Sequence, residues 1–298
     1  MLSICIPIYN FEVEVLAQAL HQQLPPEAEI LFIDDASEVY FQEKNQPICE
    51  AVGTYIPLSQ NIGRARIRNH FLKFTQYDWL LFLDCDALIH ASGFLSRYLD
   101  TIQSGFKGVI CGGRVYGEKP QNPAQWLRWT YGVSLESQPA AIRSQQPYAS
   151  FMTNNFVVPK EVLTQIPFEE KLTTYGHEDT LFGVELEKAQ VPISHIDNPI
   201  LNGDIETSEV FLQKTEAGIA NLHRIVALLE DPQRFIDRVN LLRFDQRLRK
   251  SGLDVLAWGA YRLGKKTLRK RLIQGAPSMR LFSFYKWGYL REVEKDFS

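Results

Sequence analysis

Four cysteines in 298 residues are few, and they stand apart at positions 5, 49, 85 and 111, without the paired spacing of a zinc site. Three lie in apolar runs, so the expectation is reduced, buried thiols in a cytoplasmic protein rather than a disulfide framework. No stretch approaches the length of a membrane span. The first residues, "MLSICIPIYN", lack a basic leader and are broken by Pro7, which argues against a signal peptide. The glycine pattern of a dinucleotide fold is missing after the first apolar run, where "PIYNFE" stands instead. There is no convincing Ser/His/Asp set, no internal repeat and no low-complexity tract.

What is present is an ordinary globular composition, 45% hydrophobic and 22% charged, long enough for one large domain or a domain with an appendage. The net charge of −3 conceals a split. Residues 236–298 carry 15 basic and 6 acidic side chains, a net of +9, whereas residues 1–235 stand at −12. Two parts with different partners would produce that pattern.

Apolar runs alternate with helical periodicity. "LSICIPI", "EILFIDDAS", "TYIPL" and "DWLLFLDCD" read as strands, and the helix from about Glu12 to Gln23 carries Val13, Leu16, Ala17 and Leu20 on one face. "NIGRARIRNHFLKFTQ" reads as a helix with a stripe of Ile67, Phe71 and Phe74. Further on, "GFLSRYLDTIQ" is a helix, "GVICGGRVYG" a strand, "NNFVVPKEVL" a strand then a helix, and "PISHIDNPILN" a last strand before long helical patterns from about Ser208. Residues 117–150 lack clear periodicity, as functional or mobile stretches do. This alternation predicts a mostly parallel sheet covered on both faces, with ligands beyond the carboxyl ends of its strands. Pro7, Tyr9, Asp34, Asp35, Asp84 and Asp86 all fall at such ends.

Taken singly, each polar group has a plain explanation. Asp84 and Asp86 interrupt "LLFLDCDALI", either as a solvated turn or as hard oxygen ligands for Mg²⁺ or Mn²⁺ on a diphosphate. "IDDAS" is a strand-end turn, or a carboxylate suited to the imide N–H of uracil. Tyr9 is an incidental aromatic, or a platform for a base. Glu178 and Asp179 complement a helix dipole, or one of them is a general base. His177 and His195 are structural, or ligands.

The ordered combination "PIYN", "DDAS", "NIGRARIRN", "LDCD" and "GHED" resembles the family 2 glycosyltransferases over residues 3 to about 205. "LRWTYG", "SFMTNNFVVPKE" and "YGHEDTLFGVEL" are similar to a bacterial subgroup of that family. The resemblance implies a GT-A fold, an α/β architecture with a Rossmann-like, mostly parallel central sheet, over residues 1–205. A helical C-terminal region follows over 206–298, basic from about 236. It also implies an inverting, metal-assisted transferase that uses Mn²⁺ or Mg²⁺. The sugar would pass from a nucleotide-diphosphate donor, by resemblance a UDP-sugar, to a hydroxyl of a glycan or lipid-linked acceptor of cell-envelope polysaccharide synthesis. The competing reading is an inactive fold that binds a nucleotide-sugar or a glycan.

Residue by residue, the resemblance assigns Pro7, Tyr9, Asp34, Asp35, Asn61, Gly63, Arg64 and Asp84 to the nucleotide, with Arg68 and Asn69 mainly structural. Asp86 and Asp84 fall to the metal, Asp179 to the catalytic base, and Glu178 beside it to acceptor or sugar. Trp129, Tyr131, Asn154, Asn155 and His177 are assigned to the sugar and acceptor pockets. Where related enzymes commonly have a histidine as third metal ligand, this chain has Asn202. The basic C-terminal helices suggest either packing on the acidic part, a homodimer interface, or peripheral contact with anionic lipid at the inner face of the membrane. Nucleic acid is not an expected partner, since no recognised module surrounds the basic cluster.

Overall fold

The computed structural model describes residues 1–172, 176–274 and 277–296. Among these residues ten strands run β1 (Leu2–Ile8), β2 (Ala28–Asp34), β3 (Thr54–Pro57), β4 (Trp79–Leu83), β5 (Ala87–Leu88), β6 (Val109–Cys111), β7 (Arg114–Val115), β8 (Asn155–Pro159), β9 (Ile193–His195) and β10 (Ile200–Asn202). Seven form one sheet in the order β3-β2-β1-β4-β8-β6-β9, and three form a small sheet, β5-β10-β7. The large sheet is parallel except for β8, which runs against both β4 and β6.

The helices are α1 (Glu14–His21), α2 (Val39–Val52), α3 (Arg64–His70), α4 (Phe94–Gln103), α5 (Trp126–Tyr131), α6 (Ala140–Arg143), α7 (Lys160–Gln165), α8 (Glu178–Lys188), α9 (Ser208–Leu228), α10 (Gln233–Arg238), α11 (Asn240–Lys250), α12 (Asp254–Gln274) and α13 (Met279–Asp296). Alternate residues of the central strands feed two apolar layers. Ile4, Ile6, Phe32 and Leu81 pack with Leu16, Leu20 and Tyr98 on one face. Cys5, Leu31, Phe82 and Phe156 pack with Ile67, Phe71 and Phe182 on the other. Burial on both faces is why these strands read as unbroken apolar runs.

Several local expectations change. "GVICGGRVYG" is two strands in different sheets, because Gly113 takes φ +87° and turns the chain between β6 and β7. "PISHIDNPILN" divides likewise into β9 and β10. The helix at Arg64 is short, passing into a 3₁₀ turn over Phe71–Lys73, and Phe74 lies at the surface instead of completing the stripe. α2 had no apolar stripe to announce it: its only buried residues are Asn45 and Cys49. Asn45 earns its position by accepting from the Val13 N–H (3.1 Å) and donating to the Phe11 carbonyl (2.8 Å), which fixes the loop after β1. The C-terminal helices share their cores with the rest. Leu172, Leu181 and Val184 pack with Ile219, Leu222, Phe235 and Leu290, and Leu127 packs with Leu212, Leu272 and Phe282.

Candidate functional site

Strand order reverses between β1 and β4, since β2 and β3 lie to one side of β1 and β4 to the other. The crevice at such a switch point opens beyond the strand ends. A cavity of about 590 Å³ sits there, lined by Pro7, Tyr9, Asp35, Asn61, Gly63, Arg64, Asp84, Asp86 and Asn202 among others. Tyr9 is 54% exposed, an aromatic face open to a planar ligand. The loops after β1 and β2 are tied together: the Asn10 N–H donates to Ser37 Oγ (2.9 Å), and the Glu38 N–H to Asn10 Oδ1 (2.8 Å). Asp35 accepts the Ile62 N–H on one oxygen (2.7 Å) and the Gly63 N–H on the other (3.0 Å), and so sets the approach to α3. Burial raises its pKa against those two bonds.

Asp34 does not line this cavity. It is wholly buried, accepting the Ser37 N–H (2.7 Å) and the Tyr55 hydroxyl (3.0 Å), so its role is to hold the turn. Arg68 is also buried; it donates to Asp84 Oδ1 (3.2 Å) and to the Arg64 carbonyl (3.0 Å). Asn69 bonds the Phe168 backbone through both its side-chain atoms (2.9 Å each). Arg68 also lines the first cavity.

The small sheet builds the acidic end of the cavity. Asn202 pairs with Ala87 across β10 and β5, and the Gly203 N–H donates to the Asp86 carbonyl (3.1 Å). Burial and the charge of Asp84 push the Asp86 carboxyl up. A carboxyl raised by the charge of its neighbour suits a divalent cation, which would relieve that repulsion. Asn202 is less suited to be a ligand: its Oδ1 already accepts from Arg114. Two carboxylates fit a hard cation that keeps water and phosphate oxygens as its other ligands. No group of three or more His, Cys, Asp or Glu side chains that could hold a metal occurs among the described residues.

A second cavity, of about 510 Å³, adjoins the first; both are walled by Arg64, Asp84, Arg114, Arg128, Glu206 and Lys214. It is lined further by Tyr131, Asn154, His177, Glu178 and Asp179. β8 enters the sheet antiparallel, and the Asp84 N–H donates to the Asn154 carbonyl (3.1 Å), which sets Asn154 beside the acidic strand end. Both polar atoms of the Asn154 side chain are buried with no hydrogen-bond partner. A polar group left so in a cavity wall is a candidate ligand contact.

Asn155 and Trp129 stand elsewhere. Asn155 is buried among Tyr98 and the Gly113 and Asn198 carbonyls, and the Trp129 indole donates to the Gly117 carbonyl (2.9 Å) outside both cavities. His195 is likewise structural, held between Arg143 (2.7 Å) and the Pro147 carbonyl (3.0 Å).

The acidic pair on α8 divides by environment. Glu178 Oε1 accepts from Arg64 Nε at 2.7 Å. Burial works against its charge, but Arg64 and Arg68 outweigh it and hold the carboxyl below its usual range. Among the described residues, Asp179 accepts only from its neighbour Thr180, which donates from N–H (2.6 Å) and Oγ1 (3.3 Å) to Oδ1. Burial, then the Glu178 charge, push it up to about 6. Neighbouring titratable groups driven apart in this way take different chemical roles. His177 opens the helix at φ +68°, and burial pulls its imidazole down to about 4, so it is neutral. Gly176 before it takes φ +105°, and the Asn221 amide of α9 donates to its carbonyl (2.7 Å). Tyr175 of the same segment lies outside the described residues.

Sequence reasoning missed the arginine wall. Glu136 accepts from Arg114 (3.4 Å), Arg128 (3.1 Å) and the Tyr116 hydroxyl. Burial raises the Glu136 carboxyl, but the two arginines outweigh it and hold it low. The signal was weak: Arg128 and Glu136 fall in the stretch without periodicity, and Arg114 follows a glycine pair read as mid-strand.

Comparison with known proteins places a sheet of this order, with acids at its switch point, in a family. The model of the family described as Glycosyl transferase family 2 matches residues 3–166, and the chain belongs to that family. A curated Haemophilus influenzae protein, described as an uncharacterized glycosyltransferase, is 38% identical over 91 residues, covering 29% of this chain and 29% of that one. The mannosyltransferase PcManGT of Pyrobaculum calidifontis, solved with GDP-Man and Mn²⁺, superposes with a TM-score of 0.61 at 13% identity, over 99% of this chain and 86% of that one. S. aureus TarS 1-349 with UDP-GlcNAc gives a TM-score of 0.55 at 18% identity, over 99% and 91%. At these identities the likeness speaks for the fold, which is of the GT-A type.

Proposed function

We propose that the chain is an inverting glycosyltransferase that moves a sugar from a nucleotide-diphosphate donor to an acceptor hydroxyl. The observation that carries this is the pair of joined cavities, one ending in Asp84 and Asp86, the other holding Asp179 with its raised pKa. The two structural relatives hold GDP-Man and UDP-GlcNAc, which supports a nucleotide-sugar donor; uridine is the base we assign, through Tyr9 and Asp35. In this reading residues 1–205 bind the donor and residues 206–298 complete the acceptor side.

Asp179 takes the proton of the acceptor hydroxyl. The oxygen attacks the anomeric carbon as the bond to the diphosphate breaks on the opposite face, and the configuration inverts. Arg64 lies between the two events, holding Glu178 while standing 3.9 Å from Asp84. Asp86 and Asp84 are the residues that would hold Mn²⁺ or Mg²⁺, which supplies charge stabilisation to the diphosphate leaving group. A glycan or lipid-linked acceptor is the partner class. Contact with an anionic membrane is assigned to the first half of α12 and the turn before it, where Leu253, Val255, Leu256 and Leu263 are exposed beside Arg262 and Lys266. No helix among the described residues is long and apolar enough to cross a membrane.

The test is a thermal-shift screen of UDP, GDP, CMP and dTDP sugars, with Mn²⁺ and with EDTA, since a ligand of the native state raises the melting temperature. One nucleotide class should give a Mn²⁺-dependent shift that Asp86→Ala removes. Asp179→Asn should keep that shift and lose transfer by about 10²–10⁴-fold. A wild-type protein that binds donor without turnover would favour the binding-module reading, for which the Asn202–Arg114 contact is the supporting observation.

A further inference from the structure

The second cavity contains one cation unlike the rest. Arg64 is paired with Glu178, Arg114 and Arg128 with Glu136, Lys214 with Glu206, and Arg238 with Glu187. Lys286, reaching the same cavity from α13, has no carboxylate partner among the described residues. Its ammonium lies 4.8 Å from the centre of the Phe282 ring and 5.4 Å from that of Tyr131. Burial pulls its pKa down to about 8, with no acid to oppose it. The nearby His177 is neutral and contributes none.

A half-buried ammonium without a counter-charge costs free energy that a methionine in its place would not. Cation–π contact offsets only part of that cost. An anion entering the cavity would offset the remainder through a charge-assisted hydrogen bond. Two other features of the same wall suit a polar ligand with an apolar side. Asn154 presents an amide with both polar atoms unbonded, and Tyr131, Phe211 and Phe282 supply aromatic surface.

We propose that Lys286 binds an anionic group, a phosphate or a carboxylate, carried by the acceptor, so that the substrate class is an acidic acceptor rather than a neutral glycan. This rests on the transferase reading, with the acceptor in the second cavity. It gives the C-terminal helix α13 a part in substrate choice.

The experiment uses the full chain as wild type, Lys286→Met and Lys286→Arg. Calorimetry measures binding of glucose 6-phosphate, glucuronate and glucose at constant ionic strength, with UDP plus Mn²⁺ titrated separately. Wild type should bind at least one of the two acids saturably and bind glucose more weakly. Lys286→Met should lose about tenfold or more of the acid affinity, the worth of a charge-assisted bond, while Lys286→Arg retains most of it and UDP binding is unchanged in both. Co-sedimentation with phosphatidylcholine vesicles, with and without phosphatidic acid, separates the sources. Lys286-dependent binding to the acidic vesicles alone assigns a lipid headgroup, and to the soluble acids alone a soluble acceptor; either supports the proposal.

Equal acid affinity in wild type and Lys286→Met overturns it, as does the absence of saturable binding both to the soluble acids and to the acidic vesicles in a wild type that still binds UDP. Loss of UDP binding with acid binding intact would instead overturn the donor reading. Lys286→Met should melt no lower than wild type, since it removes an unpaired buried charge, so a folding defect does not mimic the expected loss.

Discussion

Asp179 and Glu178 are adjacent in sequence and opposite in character. Arginine makes the difference: Arg64 binds Glu178, with Arg68 adding to its pull, whereas burial and the neighbouring charge prevail at Asp179. A base active as the carboxylate, with its pKa at about 6, predicts that kcat/KM rises with pH up to about that value and levels above it. Glu178→Gln removes a repelling charge and frees Arg64, and both effects favour ionised Asp179. The rising limb of the pH–rate profile should therefore move to lower pH in that variant, and an unmoved or upward-moved limb would contradict the assignment. The same shift has a stability sign. Folded Asp179 binds a proton that the unfolded chain has released between the usual carboxylate range and about 6, so its ionisation costs stability as pH rises through that window. Asp34 and Asn155 show the opposite case. The resemblance made them candidates, but every side-chain oxygen they have is occupied within the core.

Elements, rather than single residues, bring the site together. The small sheet sets Asn202 and Arg114 beside Asp86, and α9 closes over the turn that leads into α8. At Gly176 the backbone stands at φ +105°, and a Cβ there would meet the Cα of Gly218 at 2.8 Å. Gly176→Ala should therefore cost about 1–3 kcal/mol through backbone strain and push α9 from the turn. Thermal melts should show the loss, and transfer should fall while UDP binding through the first cavity persists. The strands β1, β2 and β4 were legible because burial on two faces leaves an apolar run with polar ends. The divisions at Gly112-Gly113 and within "HIDNP" were not, because a chain leaving one sheet for another keeps the same apolar composition. α2 was not legible either, since a helix with only two buried residues has no stripe to read.

At the scale of the molecule, the charge split acquires a geometry. Much of the basic excess of the C-terminal region is paired internally or with its neighbours, as in Arg249 with Asp245, Arg269 with Glu209 and Arg291 with Asp254. Among the side chains that stay exposed are Leu256 at 74% and Leu263 at 93%, with exposed Arg262, Lys266 and Lys270 around them. Aliphatic side chains set among cations suit the interface of an anionic bilayer. Wild type should pellet with vesicles containing phosphatidylglycerol and not with phosphatidylcholine alone. Leu256→Ser with Leu263→Ser should weaken that pelleting without changing the melt, since neither side chain is buried. Equal pelleting by the double variant would remove the first half of α12 as the contact.

The sequence by itself determined the strand-and-helix alternation, the family, and the acids at the strand ends, because burial periodicity and short motifs are local properties of a chain. Which acids face a cavity, which one an arginine claims, and which cation lacks a carboxylate partner among the described residues were decided only in the tertiary structure. Arg64 and Glu178 are 114 residues apart, and Lys286 enters the cavity from the last helix. Electrostatic environment depends on distance and burial in space, and neither is written along the chain.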